Sequence, residues 1–463
     1  MISLILSGGV GSRLWPVSRK KFPKQFIDIF EQSLFEKTVR RLSQFGKVHV
    51  CTGESMKTLT DSTIREKKLA VEEVFYEPMG RNTAPAIALV CKYMQDQQQT
   101  DQVMGVFPSD HWIEDENLFG NVIQLAEKVA LTGKIVTLGI KPNYPATGFG
   151  YIECLSEQVD TANDLTAFKV KGFREKPDEK TAEEFIKSGQ FFWNSGMFIF
   201  QVSTMISAFE KHMPELWQGI QELKNDLSNI AEVYPKLPSQ SIDYGIMEKF
   251  QEQANIPSDF GWSDLGSWDD IASMADKETT MNNKSVQVDV NAENCFSFTG
   301  VDKAVAFANV SDLLVVDTPD ALLITKKGES QSVKDVFDKL SNQAPELTVD
   351  HVFEKRPWGE YRNLWEEDHF KSKVITVNPN QQLSYQSHTK RAETWVIVSG
   401  QGEVVLDDKI IPVSQGSVVQ IPVGAKHRMR NTSDSILEFV EVQLGEYFGE
   451  DDITRYEDDY KRV

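Results

Sequence analysis

The order of segments along the chain predicts an α/β fold on a doubly wound, mostly parallel sheet, continued by a short β-rich segment and a C-terminal stretch of short β segments. Apolar runs at residues 2–6, 48–51, 74–76, 103–107 and 135–140 have the length of buried strands. Helix-opening signals fall between them, and buried strands alternating with helices pair in parallel. From about residue 276 helices give way to short alternating segments with polar turns.

Each element has its own signal. Ser33-Leu-Phe-Glu36 is a capping box, opening an amphipathic helix that runs to about Phe45. Thr83-Ala-Pro-Ala86 opens a second helix, with Pro85 tolerated in its first turn. The 103–107 strand ends in Pro108-Ser109-Asp110, and in doubly wound sheets ligands sit off the carboxyl ends of strands. Residues 8–13 and Asp110 both fall at that edge. Asn291-Ala-Glu-Asn294 and Asp317-Thr-Pro-Asp320 read as turns of the β-rich segment, whose β-helical course is left open, and 343–348 as a linker. No fixed-period repeat is evident. The expected domains are 1–275, 276–345 and 346–463, closing on an acidic tail, 449–452 and 457–459, that reads as a solvated face.

Composition narrows the function classes. The chain has 463 residues, 40% apolar, and a net charge of −20, which disfavours a broad surface for nucleic acid or anionic membrane. No run of 18 apolar residues and no secretory signal is present, so no membrane partner is expected. Cys51, Cys91, Cys154 and Cys295 are too scattered for a thiolate metal site, and a cytoplasmic setting is expected.

Against that acidity, residues 7–25 are basic. Gly8, Gly9 and Gly11 follow the first strand, where side chains would screen backbone N–H groups from a phosphate. Arg13, Arg19, Lys20, Lys21 and Lys24 follow, with no acidic residue before Asp28. A small polyanion is the ligand such a segment suits. The phosphate loop of P-loop enzymes is excluded because Ser12-Arg13 follows Gly11, and the dinucleotide fingerprint because Leu14 takes the place of its third glycine.

The string Gly8-Gly-Val-Gly11-Ser-Arg-Leu14, with Pro23-Lys24 beyond it, resembles the signature of sugar-nucleotide pyrophosphorylases. Leu14-Trp-Pro-Val-Ser-Arg19 and Pro23-Lys-Gln-Phe26 are similar to mannose-1-phosphate guanylyltransferases. The resemblance implies nucleotide binding by Leu6, Gly8, Gly9, Gly11, Ser12, Arg13, Glu77, Asn82 and Thr83, with Arg13 and Lys24 catalytic. It implies Mg²⁺ held by Asp110 and Asp264, and sugar phosphate held by Gly148, Glu175, Lys176 and Asn194. Phe173-Arg-Glu-Lys-Pro177 departs from the family's usual Val-Glu-Lys-Pro at Arg174. Two carboxylates and phosphate oxygens make the oxygen shell Mg²⁺ prefers. A phosphate monoester, with its second pKa near ~6, needs little activation as nucleophile.

Residues 386–431 carry a second pattern: Gln386-x-His388, Glu393, Gly400, then Gly416, Pro422-x-Gly424-x-x-His427 and Asn431. It resembles the paired motifs of cupins, small β-barrels that hold a metal inside, and Gln386 stands where phosphomannose isomerases also place a Gln. Gln386 and His388 are two apart, so on a strand they share a face. Gln386, His388, Glu393 and His427 form the implied ligand set for Zn²⁺ or another divalent ion. Thr389 and Lys390 replace histidines usual in the bifunctional guanylyltransferase–isomerase enzymes, so metal binding is better supported than isomerase turnover.

The resulting expectation is an enzyme making GDP-mannose and pyrophosphate from GTP and mannose 1-phosphate, with mannose 6-phosphate as a second substrate in the cupin. The alternatives are a guanylyltransferase with a structural cupin, a pyrophosphorylase for another hexose 1-phosphate or another base, and a non-catalytic sensor. A homo-oligomer is left open.

Overall fold

The computed structural model describes residues 1–276, 281–457 and 459. It divides into two compact units, the first taking in most of residues 1–343 and the second running from Ala344 onward. The boundary expected near residue 276 adjoins 277–280, which lie outside the described residues.

The first unit is built on a nine-stranded sheet. Ile2–Ser7 lies between Val48–Gly53 and Val103–Pro108, parallel to both, and Glu73–Glu77 extends the parallel edge. Phe191–Gln201 joins Val103–Pro108 to Ile135–Ile140 with reversed direction, and Gln253–Ser258 pairs in parallel beyond. The hairpin of Tyr151–Ala162 and Leu165–Arg174 closes the far edge. Its turn, Asn163-Asp164, has positive φ at both residues, as a two-residue hairpin turn requires. Only Leu165–Arg174 and Phe191–Gln201 run against the other strands of this sheet.

Alternation on one strand shows why both faces are covered. Met104 and Val106 belong to the core beneath the Thr83–Asp96 helix, whereas Phe107 meets the Phe119 ring of the Glu116–Ala130 helix at 6.2 Å. The expected helix at 33–45 forms as Leu34–Leu42, its Glu36 N–H donating to the Ser33 hydroxyl at 3.2 Å.

The β-rich segment coils as a β-helix. Ser285–Val290 pairs in parallel with Lys303–Ala308, and Phe296–Thr299 with Leu313–Thr318, each with partners 18 residues apart. Asn291 and Asn309 occupy one corner and Asn294 and Asp312 the next, all with left-handed φ near 50–56°. Asn291 bonds Asn309 at 3.2 Å, and Asn294 bonds Asp312 at 2.7 Å. This corrects the reading that no fixed period exists: the 18-residue step lives in corner geometry, which Asn and Asp tolerate, rather than in a repeated motif.

The second unit is a barrel of two antiparallel sheets, of six and five strands. Trp358, Trp395, Val404, Met429 and Phe439 fill part of its interior. No helix among the described residues is long and apolar enough to cross a membrane.

Candidate active site and metal centre

A cavity of about 520 Å³ opens at the carboxyl ends of the parallel strands. Leu6, Gly8 and Gly9 line it, as do Glu77, Asn82 and Thr83. Gly148, Glu175, Lys176 and Asn194 line it from the sugar-side segments, and Asp110 and Asp264 also face it. Gly11, Ser12, Arg13 and Lys24 stand outside this lining. Arg13 is exposed, so the structure does not bring it to the cavity with the rest of its motif.

Local bonds explain the loop. Gly11 has φ +69°, and an added Cβ would lie 2.6 Å from Lys24 Cβ, so both conformation and proximity demand glycine. The Ser18 hydroxyl donates to the Gly11 carbonyl at 2.6 Å. Lys24 is thereby directed inward, its Nζ 2.9 Å from Asp110 Oδ2 and donating to the Asp264 carbonyl at 2.6 Å. Burial pushes the Asp110 carboxyl upward, but Lys24 and His111 outweigh it and hold the group below the usual carboxylate range. Asp264 is driven up by burial, and the Asp110 charge adds to this. Two half-buried carboxylates of unequal basicity, one paired with the Lys24 ammonium and the other held close by the Lys24 bond to its backbone carbonyl, form a donor set fitted to a divalent cation.

On the nucleotide side, the Asn82 side chain accepts from Thr83 N at 2.9 Å, and the Thr83 hydroxyl accepts from Ile242 N at 2.8 Å. Burial raises the Glu77 carboxyl despite hydrogen bonds from Tyr234 and Cys51. On the sugar side, Lys176 Nζ lies 3.0 Å from Glu175 Oε1. An added Cβ on Gly150 would meet Glu175 Oε2 at 2.5 Å.

Asp243 is the residue that sequence reasoning missed. It sits in a π-turn, Asp243–Met247, lines the cavity, and accepts from Asn194 Nδ2 at 3.0 Å. Burial, then the nearby Glu175, lifts its carboxyl to about 6. No periodicity or motif marks Ser-Ile-Asp-Tyr-Gly in a single sequence.

In the barrel, His388, Glu393 and His427 bring ligand atoms within 4.8 Å of one another, all buried. His388 Nε2 is 3.1 Å from Glu393 Oε1, and His427 Nε2 is 3.5 Å from Glu393 Oε2. His427 Nδ1 bonds the Ala425 carbonyl at 3.0 Å, which aims Nε2 inward. Both nitrogens of His388 and Nε2 of His427 lack hydrogen-bond partners, so these orphaned buried groups fit a cation. Gln386 pairs in register with His427 and lines, with Glu393, a cavity beside the triad. Burial would raise Glu393, but His388, His427 and Arg391 hold it low. Burial raises Glu441, and Glu393 adds to the rise. Trp395 Nε1 donates to both carboxylates at 3.0 and 3.1 Å.

Lys390 points away, its Nζ 4.3 Å from the Tyr447 ring centroid. The acidic tail is corrected in part: Asp452 is buried and accepts from Thr389 N, Thr389 Oγ1 and Lys390 N. Three donors in the turn between His388 and Arg391 outweigh exposure to water. Asp458 lies outside the described residues.

A nucleotide-sized cavity at a parallel-sheet edge with paired acids, joined to a His/Glu-bearing barrel, defines a nucleotidyltransferase with an appended cupin. Family models match as Nucleotidyl transferase over 2–281, MannoseP isomerase/GMP-like beta-helix domain over 285–340, and Mannose-6-phosphate isomerase C-terminal over 343–458. The chain is 38% identical over 475 residues to the alginate biosynthesis protein AlgA of Pseudomonas aeruginosa, covering 100% of this chain and 98% of that one. It is 36% identical to a mannose-1-phosphate guanylyltransferase of Escherichia coli, with full coverage of both. A solved Thermus thermophilus structure, titled mannose-1-phosphate geranyltransferase, superposes with TM-score 0.64 at 28% identity, covering 73% of this chain and 99% of that one. The chain belongs to the nucleotidyl transferase family, among the mannose-1-phosphate guanylyltransferases that carry a mannose-6-phosphate isomerase C-terminal domain.

Proposed function

We propose that the first unit transfers a guanylyl group from GTP to mannose 1-phosphate, giving GDP-mannose and pyrophosphate. The carrying observation is the convergence of Lys24, Asp110 and Asp264 beside the glycine loop and the Glu175–Lys176 pair. Glycine-loop N–H groups and Lys24 neutralise triphosphate charge, and Lys176 holds the sugar phosphate whose oxygen attacks the α-phosphorus as pyrophosphate leaves. Arg13 is assigned to the same charge in the nucleotide-bound state. Mg²⁺, when bound by Asp110 and Asp264, supplies further neutralisation. No general base is needed, because the attacking phosphate is already largely ionised at neutral pH.

In the barrel, Gln386, His388, Glu393 and His427 would hold a divalent ion, Zn²⁺ or another, which when bound would polarise a sugar carbonyl. The reaction there is interconversion of mannose 6-phosphate and fructose 6-phosphate. Lys390 is not its base, given its direction. The four unpaired cysteines fit a cytoplasmic setting. A pyrophosphate-release assay across nucleotides and hexose 1-phosphates tests the first activity: GTP with mannose 1-phosphate should give the highest kcat/KM, and preference for another pair overturns it.

A further inference from the structure

The two histidines of the barrel are aimed by different means. The His427 ring is set by the bond from its Nδ1 to the Ala425 carbonyl at 3.0 Å. Neither ring nitrogen of His388 has a hydrogen-bond partner, so nothing outside the triad fixes that ring. A metal-ligating histidine ordinarily gains its orientation from a bond to its second ring nitrogen. The aim of His388 must then come from its backbone.

That backbone is gripped by residues from the end of the chain. Ile453–Glu457 pairs antiparallel with Tyr385–His388, with Thr454 opposite Ser387 and Ile453 opposite His388. The turn after His388 is held more closely still. Asp452 Oδ1 accepts from Thr389 N at 3.0 Å and from Thr389 Oγ1 at 2.6 Å, and Oδ2 accepts from Lys390 N at 3.1 Å. Asp452 is only 7% exposed, and a carboxylate withdrawn from water this far is tolerated because three donors replace the water it loses. All three belong to one two-residue turn. Beyond it, Lys390 Nζ lies 4.3 Å from the Tyr447 ring centroid, and Arg391 Nη1 donates to the Gly449 carbonyl at 3.0 Å. Arg391 opens the strand that carries Glu393, whose Oε1 is 3.1 Å from His388 Nε2. Residues 447–457 therefore hold both arms of the His388–Glu393 pair.

We propose that the C-terminal segment 447–457 is the positioning element of the barrel's metal centre, with Asp452 the positioning residue for His388 and Glu393. Asp452 bonds to neither ligand side chain and acts through the main chain of the turn between them. The strand that follows it fixes the ligand strand itself. The ligands are thereby preorganised, and the ion does not have to order them on binding, which raises its affinity. The assignment rests on reading His388, Glu393 and His427 as metal ligands, and metal uptake by the parent protein tests that reading separately.

The test titrates full-length, metal-stripped protein with Co²⁺ against a competing chelator and reads the visible ligand-field bands, which report coordination geometry. Asp452→Ala should raise the Co²⁺ Kd about 10- to 100-fold, the range for partners outside the ligand set, and alter the bands. Circular dichroism and guanylyl transfer should not change. Asp452→Asn keeps an oxygen for Thr389 and should fall between parent and Asp452→Ala. Thr389→Val removes one donor at nearly constant shape and should raise the Kd about 3- to 10-fold, the range of a single hydrogen bond. Combined with Asp452→Ala it should add nothing, because both changes break the same contact. Parent-like Kd and bands in both Asp452→Ala and Thr389→Val overturn the positioning role, and Thr389→Val decides alone where Asp452→Ala does not fold. A parent protein that takes up no Co²⁺ removes the metal reading, and the positioning role with it.

Discussion

The ammonium of Lys24 lies 2.9 Å from the carboxylate of Asp110, although 86 residues of chain separate them. This contact joins the glycine loop to the neighbouring strand end. It also sets the charge state of the acidic pair before any nucleotide arrives.

Lys24→Met should therefore fold, keep the cavity, and lose guanylyl transfer. Removing one preorganised group aimed at developing phosphate charge costs about 2.7–4 kcal/mol, or on the order of 10²–10³ in rate. Arg13→Ala should lose a comparable factor if the loop brings it to the triphosphate. Steady-state kinetics with circular dichroism as a folding control decide it, and near-normal turnover in both variants removes their roles.

Asp110→Asn keeps shape and discards charge. Guanylyl transfer should fall and recover only partly in excess Mg²⁺, with a raised apparent metal constant measured by titration. Full activity after exhaustive chelation would end the metal-assisted mechanism.

Asp243 offers a pH test. Its carboxyl is raised from 3.8 to about 6, so between those values the folded protein keeps a proton that the unfolded chain has lost. Stability attributable to this group falls as pH rises through that window, and the deficit is complete above about 6. Asp243→Asn should then be more stable than the parent at pH 7, by up to about 3 kcal/mol, with the gain vanishing below about pH 4. Denaturant melts at pH 4 and pH 7 measure it; a gain of equal size at both values refutes the assignment.

His427→Ala should strip the barrel of metal and abolish isomerase turnover while leaving guanylyl transfer largely intact. Metal analysis by mass spectrometry and paired assays check this. Retained stoichiometric metal would show that the ion binds elsewhere.

Asp269→Ala tests the brace between the Trp268–Asp276 helix and the β-helix. The Asp269 carboxylate accepts from Gly328 N at 2.7 Å and Ser330 N at 3.0 Å, five residues after the cavity-lining Asp264. Leaving partly buried N–H groups unpaired costs about 1–3 kcal/mol, visible as a lowered thermal midpoint. An unchanged midpoint would make the brace dispensable.

What the sequence by itself determined was the chemistry carried in contiguous strings. The glycine loop, Phe-Pro-Ser-Asp110, Gly-Trp-Ser-Asp264 and the spacing from Gln386 to His427 were legible because short motifs fix both residue type and local backbone. Strand starts and the Ser33 cap were legible for the same reason: burial and capping are local demands. Tertiary structure alone decided the rest. Arg13 left the cavity lining while Asp243 entered it, and Asp452 became the buried acceptor of the 389–390 turn. Arg356, Lys373, Arg391 and Arg455, which line one cavity of the barrel, lie on different strands. Charge and pKa depend on what the fold packs around a group, and desolvation and Coulomb forces act through space with no regard for sequence separation.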